Sequence, residues 1–475
     1  MNQTPTPPPT VPTDLPTTVG QLRAAGYRPR TVKAELRDNL LERLRAEADP
    51  FPGVLGFQDT VRPQLERALL AGHDLVLLGE RGQGKTRLLR SLVGLLDEWS
   101  PELAGSDIHE DPLAPVTAWG LAQLAEHGDG CAVAWRHRSE RYGEKLATPD
   151  TSVGDLIGDV DPVKVAQGRS LGDPETIHYG LVPRTNRGVF AINELPDLAE
   201  RIQVSLLNVL EERDVQVRGY PLRLPLDLLL VASANPEDYT NRGRIITPLK
   251  DRFGAEIRTH YPLRLVDEIA LVRQEAQLVA TVPQHLVEVL ARFTRAVRES
   301  ASVDARSGVS ARFPIAAAET LAAAALRRAT ITGEPTAVAR ACDLAAVVPS
   351  LLGKVEFEVN EEGREREVLE LLLRRAVAET FRSRLGGVDL SSLVARFDEG
   401  AMVETGDLVT AAALLESLGP VPGLARLTVA LEGEAGESAG VVAACLETAL
   451  EGLFLTRRIG KDEVPGGTRA IYGGG

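Results

Sequence analysis

At 475 residues the chain is longer than one ordinary hydrophobic core serves, and its 44% apolar content is ample for two or three packed units. A formal charge of −14 argues against a general affinity for nucleic acid, because phosphate binding is driven by clustered Lys and Arg. Cys131, Cys342 and Cys445 stand far apart without ligand-like spacing, which suggests neither a disulfide framework nor a zinc site and fits a reducing compartment.

The opening MNQTPTPPPTVPTDLPTT is Pro- and Thr-rich with almost no large apolar group, and residues 1–30 are expected to form a flexible tail. This segment lacks the basic start and apolar run of a secretion signal, and no stretch reaches membrane-span length, so a soluble, cytoplasmic protein with no membrane contact is expected. A helical pattern from Leu40 breaks at Phe51-Pro52-Gly53 and resumes over Thr60–Leu70. Asp74–Leu78 is short, apolar and followed by glycines, which predicts a buried parallel strand; Gly188–Ile192 and Leu228–Ala232 predict two more. Separated by helical segments, they indicate a doubly wound α/β core over residues 31–262. Trp135-Arg136-His137-Arg138, with Arg141-Tyr142, reads as a solvated helix face whose aromatics pack, with an anion or partner contact as the alternative. Beyond Pro262 come amphipathic helices at Pro283–Arg298, Ser310–Arg328, Pro335–Leu352 and Glu365–Arg384. They divide into a helical unit over 263–352 and a mostly helical extension over 353–475, with Gly473-Gly474-Gly475 expected to be disordered.

The strand ending at Leu78 runs into Gly79-Glu80-Arg81-Gly82-Gln83-Gly84-Lys85-Thr86 and then a helix expected over Arg87–Leu96. This is the Walker A pattern in its strand–loop–helix context, which points to ATP with Mg2+ as cofactors. Gly79, Gly82, Gln83 and Gly84 let successive backbone N–H groups converge on phosphates, and Arg87 continues the cradle into the helix. Lys85 is placed to reach the β- and γ-phosphates and Thr86 to ligate magnesium. The second apolar strand ends in Asn193-Glu194, where Asp-Glu is the expected pair. Glu194 is placed to act as general base on water, and Asn235, after the next strand, to orient the same water. Asn193 can hold magnesium only through water and lacks the carboxylate charge, so it bears directly on ion affinity and turnover.

Several blocks in order, FPGVLGFQD at Phe51–Asp59, the Walker A loop, LVPRTNRGVFAINELPDL at Leu181–Leu198, VASANPEDY at Val231–Tyr239 and PLKDRFG at Pro248–Gly254, resemble the AAA+ family that contains the magnesium chelatase I subunit and MoxR-type ATPases. The resemblance implies an AAA+ P-loop core followed by an α-helical lid over 263–352, and a homo-oligomer, by family habit a hexameric ring. It places Val54, Leu55 and Gly56 beside the adenine and makes Asn235 the sensor-1 residue. Arg252 resembles the arginine finger, with Arg242 and Arg244 as weaker candidates, and Arg312 resembles sensor 2. An insertion near 149–180 and a hairpin near 212–224 would face the pore or surface of the ring and engage a protein client. The sequence contains no Asp-x-Ser-x-Ser motif, so a von Willebrand A domain, if one takes part, belongs to another protein.

Three functions follow. The leading one is an ATP-hydrolysing ring that remodels or activates a partner protein. Asn193 motivates the second, a nucleotide-gated scaffold with weak hydrolysis. The third is a genuine magnesium chelatase ATPase subunit, which a shared fold alone cannot establish.

Overall fold

The computed structural model describes residues 9–160, 166, 176–211, 224–236, 244–304, 308–434, 438–463 and 469–474. The chain divides into two compact units, residues 1–260 and 261–475.

In the first unit, helices α1 (Val19–Ala24), α2 (Val32–Arg45) and α3 (Val61–Leu70) precede strand β1 (Leu75–Leu78), which leads into helix α4 (Lys85–Ser91). There follow β2 (Trp99–Leu103), helix α5 (Ala118–His127), β3 (Val133–His137), β4 (Tyr142–Leu146), β5 (Gly158–Val160), β6 (Ile177–Tyr179), β7 (Gly188–Asn193), β8 (Leu228–Ala234) and β9 (Ala255–Arg258). Five of these strands form one parallel sheet in the order β4-β7-β8-β1-β9. All three strands expected from sequence lie in it, buried at every position as a sheet covered on both faces requires.

Alternation sorts the sheet's side chains into two layers. Leu75, Leu77, Val189, Ala191, Leu229, Val231 and Ile257 share an apolar cluster with Leu36 of α2, Leu65 of α3 and Leu88 and Leu89 of α4. On the opposite face Val76, Leu78, Phe190, Ile192, Leu230 and Ala232 pack with Ile202 and Leu206 of the helix Glu200–Glu211. Burying each such side chain contributes about 1.5–3 kcal/mol. Parallel strands end at a common edge, and that edge carries the loop after β1, Asn193-Glu194 after β7 and Asn235 after β8.

Several expectations are corrected. The tail expected over residues 1–30 is folded in its second half: Thr18 caps α1, Val19 and Leu22 are buried with Leu103, Cys131 and Val133, and the Trp135 indole donates to the Pro16 carbonyl (2.7 Å). Trp135–Arg138 is not a helix face, since Val133–His137 pairs antiparallel with Trp99–Leu103. Arg136 is buried there, and burial, opposed by Glu102, pushes its guanidinium down to about 10, still charged at neutral pH. Helix α4 spans Lys85–Ser91 rather than Arg87–Leu96 and continues as a 3-10 turn over Leu92–Leu95, where Gly94 weakens helix propagation. The insertion near 149–180 contributes a turn of helix at Val153–Leu156, capped by Ser152 and Asp155, and the antiparallel pair β5–β6; its 161–165 and 167–175 lie outside the described residues. So does the hairpin near 212–224, apart from Leu224.

The second unit is helical, with Leu265–Glu275, Gln284–Arg298, Arg312–Thr332, Glu365–Leu385 and Ala439–Leu455 as its longer helices. The helix expected over Pro335–Leu352 is broken: Val338 bridges Thr281 in extended conformation, Asp343 caps a 3-10 turn at Ala341–Ala346, and α-helix returns only at Val347–Leu351. Helical packing is joined by a small antiparallel sheet, β10 (Val403–Thr405), β12 (Ala470–Gly473) and β11 (Gly460–Glu463). Of the disordered end expected at Gly473–Gly475, Gly473 is instead paired with Gly460 in that sheet, and Gly475 lies outside the described residues. Among the described residues no helix is long and apolar enough to cross a membrane.

Candidate functional site

The loop between β1 and α4 is built around close approach. A Cβ on Gly79 would lie 1.9 Å from Thr259 Oγ1 and 2.2 Å from Gln83 Oε1, so only glycine fits there. Thr259, at the end of β9, donates through Oγ1 to Gln83 Oε1 (2.8 Å) and pins the loop from beneath. Gly84 opens α4 at φ +77°, a left-handed conformation that a side chain would strain. The start of α4 is thereby aimed at the sheet edge, where its backbone N–H groups favour an anion.

Lys85 is buried, and its Nζ donates to the carbonyls of Gly79 (2.5 Å) and Glu80 (2.9 Å) and to Asn235 Oδ1 (2.6 Å). Asn235 Nδ2 donates in turn to Glu194 Oε2 (2.9 Å). Three residues expected to share one reaction therefore form a continuous hydrogen-bonded chain across the ends of β7 and β8 and the start of α4. Glu194 itself adopts φ +56° and ψ +49°, left-handed geometry that points its carboxylate off the strand axis.

Asn193 has partners the sequence did not indicate. Its Oδ1 accepts from Ser233 Oγ (3.1 Å) and its Nδ2 donates to Glu144 Oε1 (2.6 Å). Arg90 of α4 closes on the same carboxylate through Nε (2.8 Å) and NH2 (3.1 Å), and hydrogen bonding to Glu144 raises the Arg90 guanidinium above its ordinary value. Glu144, Ser233, Arg90 and Thr259 are thus site neighbours that sequence reading missed. Glu144 sits in an edge strand without an apolar run, and nothing in the sequence pattern marks it.

Among the remaining candidates, Val54 is buried in the cluster that holds Leu88 and Leu89 of α4, and Gly56 is left-handed at φ +79°. Leu55 and Thr86 are partly buried, Gly82 is left-handed at φ +73°, and Arg87 is exposed on α4. Arg252 ends the short helix Thr247–Arg252 and donates to the Pro248 carbonyl (3.0 Å). Arg244 is exposed, and its carbonyl accepts from Gln203; Arg242 lies outside the described residues. Arg312 opens the helix Arg312–Thr332 of the second unit, its backbone N–H donating to Ser310 Oγ (3.0 Å). The glycine loop held down at Gly79, the buried ammonium of Lys85 and the carboxylate of Glu194 make a donor and acceptor set that fits a magnesium-bound nucleoside triphosphate.

No family model matches the chain. It is 25% identical over 246 residues to the magnesium-chelatase subunit ChlI of Nostoc sp., covering 50% of this chain and 61% of that protein. It is 26% identical over 238 residues to the magnesium-chelatase 38 kDa subunit of Rhodobacter capsulatus, covering 47% and 60%. The chain resembles magnesium-chelatase I subunits, and its first unit has the AAA+ fold. It spans about three-fifths of the length of these curated relatives. Among solved structures, a cryo-EM reconstruction of the complex between subunits BchI and BchD of magnesium chelatase is 19% identical with a TM-score of 0.35, covering 66% of this chain and 98% of that one. The AAA+ core of this chain keeps the Walker A lysine, the glutamate after β7 and the asparagine after β8 together at one sheet edge.

Proposed function

We propose that this chain is an ATPase of the chelatase I/MoxR type that works as a ring, with each ATP held between neighbouring subunits, and that turnover remodels or activates a partner protein. The observation that carries this reading is the chain Lys85–Asn235–Glu194, which joins a phosphate-reaching cation, a water-orienting amide and a general base. Magnesium-bound ATP, when present, supplies an activated phosphoanhydride that water can cleave to ADP and phosphate.

The protein's own groups do the rest. Backbone N–H groups of Gly82–Thr86 and the Lys85 ammonium bind phosphate oxygens, and Thr86 Oγ1 and Asn193, through water, face the metal. Glu194 takes the proton from water that Asn235 orients. Arg252 of a neighbouring subunit would offset the negative charge that develops in the transition state, and Arg312 is the sensor-2 candidate of the helical unit. Val54, Leu55 and Gly56 flank the base. A protein client, including one carrying a von Willebrand A domain, would engage the insertion near 149–180 or the hairpin near 212–224.

The test is the steady-state ATPase rate per subunit against protein concentration, for wild type and Glu194→Gln. A rate that rises with concentration and falls at least about 100-fold in the variant supports the reading. A rate independent of concentration would refute assembly at subunit interfaces, and no turnover with tight nucleotide binding would refute the motor.

A further inference from the structure

Resting on the nucleotide reading above, we infer that Glu144 supplies the magnesium-directed carboxylate charge that Asn193 lacks. The first argument is placement. In the parallel register of β4 and β7, Glu144 lies opposite Ala191, and Ala191 belongs to the sheet face covered by α4. Asn193 is two residues beyond Ala191, and Ser233 two beyond Val231 of the same layer, so strand alternation puts Glu144, Asn193 and Ser233 on the α4 side.

The second argument is hydrogen-bond chemistry. An amide NH2 is a donor and cannot face a cation; here it is turned onto Glu144, while Ser233 takes one of the amide oxygen's two lone pairs, leaving at most one uncharged acceptor for metal-bound water. Asn193 therefore bridges a hydroxyl to a carboxylate, and the charge that position 193 lacks stands one strand away, on Glu144. The third argument is helix spacing. Arg90, which grips Glu144, stands four residues after Thr86, and residues at that interval share a helix face. The carboxylate thus lies along the face of α4 that carries the magnesium-ligating hydroxyl. An ionised carboxylate offers about four acceptor sites; Asn193 and Arg90 present three donors to this one and the Tyr142 hydroxyl also interacts with it, so magnesium-bound water would share the remaining capacity.

The competing account is that Arg90 and Glu144 only tie α4 to β4. A magnesium titration of the full chain with a fluorescent, non-hydrolysable ATP analogue separates the two, read as the metal concentration giving half of the metal-dependent gain in affinity. With the gain taken relative to the variant's own affinity in EDTA, that midpoint should rise about 10- to 100-fold in E144Q, the usual loss when a group holding a metal's outer shell is removed. In N193D/E144Q, which exchanges amide and carboxylate across the same hydrogen bond, the midpoint should return toward the wild-type value. An unchanged midpoint in E144Q would overturn the inference and leave nucleotide binding intact. Failure of wild type to bind the analogue, with or without magnesium, would overturn the nucleotide reading and this inference with it. Should E144Q not fold, the double variant decides: a midpoint near wild type supports the assignment, and loss of magnesium dependence refutes it.

Discussion

Replacing Arg141 with Met should be among the most damaging single changes in the first unit. The guanidinium is 1% exposed and makes a two-pronged contact with Glu35 of α2, at 2.7 and 2.6 Å, while its Nε donates to the Arg187 carbonyl at 2.8 Å. Glu35 is itself only 6% exposed, and without Arg141 its one remaining described donor is the Asp97 backbone N–H at 2.7 Å. Two unit charges about 4 Å apart at an effective dielectric constant of 20 interact by about 4 kcal/mol. Stranding one partner of such a pair costs about 3–5 kcal/mol. For a unit of this size that corresponds to a fall in melting temperature of roughly 10 °C. Urea unfolding followed by circular dichroism, with thermal melts alongside, measures the loss directly. The double variant E35M/R141M should recover most of it, because removing both charges leaves no buried ion to solvate. A loss under about 1 kcal/mol in R141M, the range of exposed ion pairs, or a double variant no more stable than the single one, would refute this account.

Gly79→Ala should lower analogue affinity at least about tenfold and destabilise by about 1–3 kcal/mol, since the new methyl overlaps Thr259 Oγ1 and Gln83 Oε1; equilibrium binding and melting checks both. Under the proposed ring assembly, Arg252→Ala should reduce turnover about 10³-fold at unchanged analogue affinity, and mixing it with Lys85→Ala should restore part of the rate, each supplying the half-site the other would lack. In the second unit, burial pushes the Glu432 carboxyl upward, but hydrogen bonds from His285 and the backbone N–H groups of Gln284 and His285 outweigh it and hold it below the ordinary 4.5. A depressed folded value stabilises above the unfolded one, so this contribution should be complete above about pH 5.5 and disappear as pH falls through the folded value. Melting temperature against pH should accordingly be flatter on the acid side for E432Q than for wild type.

The legible parts of the sequence were those where one force dominates. β1, β7 and β8 are buried on both faces and carry unbroken apolar runs, and the glycine spacing after β1 admits one loop chemistry. β4 and β9, at the sheet's two edges, read as Tyr-Gly-Glu-Lys-Leu and Ala-Glu-Ile-Arg, with too little apolar alternation to stand out. Because β4 was not recognised, Glu144 could not be placed beside Asn193. The Trp135–Arg138 error has a similar origin: the antiparallel pairing with Trp99–Leu103 is a contact distant in sequence, and local spacing alone resembles a helix face. Helix Pro335–Leu352 failed for the opposite reason, since its local pattern was helical but Val338 was drawn into a bridge with Thr281.

Strand β7 is bracketed by two non-glycine residues in left-handed backbone, Arg187 at φ +59° and Glu194 at φ +56°. Each conformation costs about 1–2 kcal/mol for an ordinary side chain. Glycine at 194 would relax the chain there but would delete the carboxylate proposed as proton acceptor, so under that reading folding and chemistry favour different residues at this position. E194G should then be a better-folded and catalytically silent protein, and a selection for thermal robustness alone would drift toward it. If Glu194 is the base proposed above, durability and activity trade against each other at a single codon of this chain.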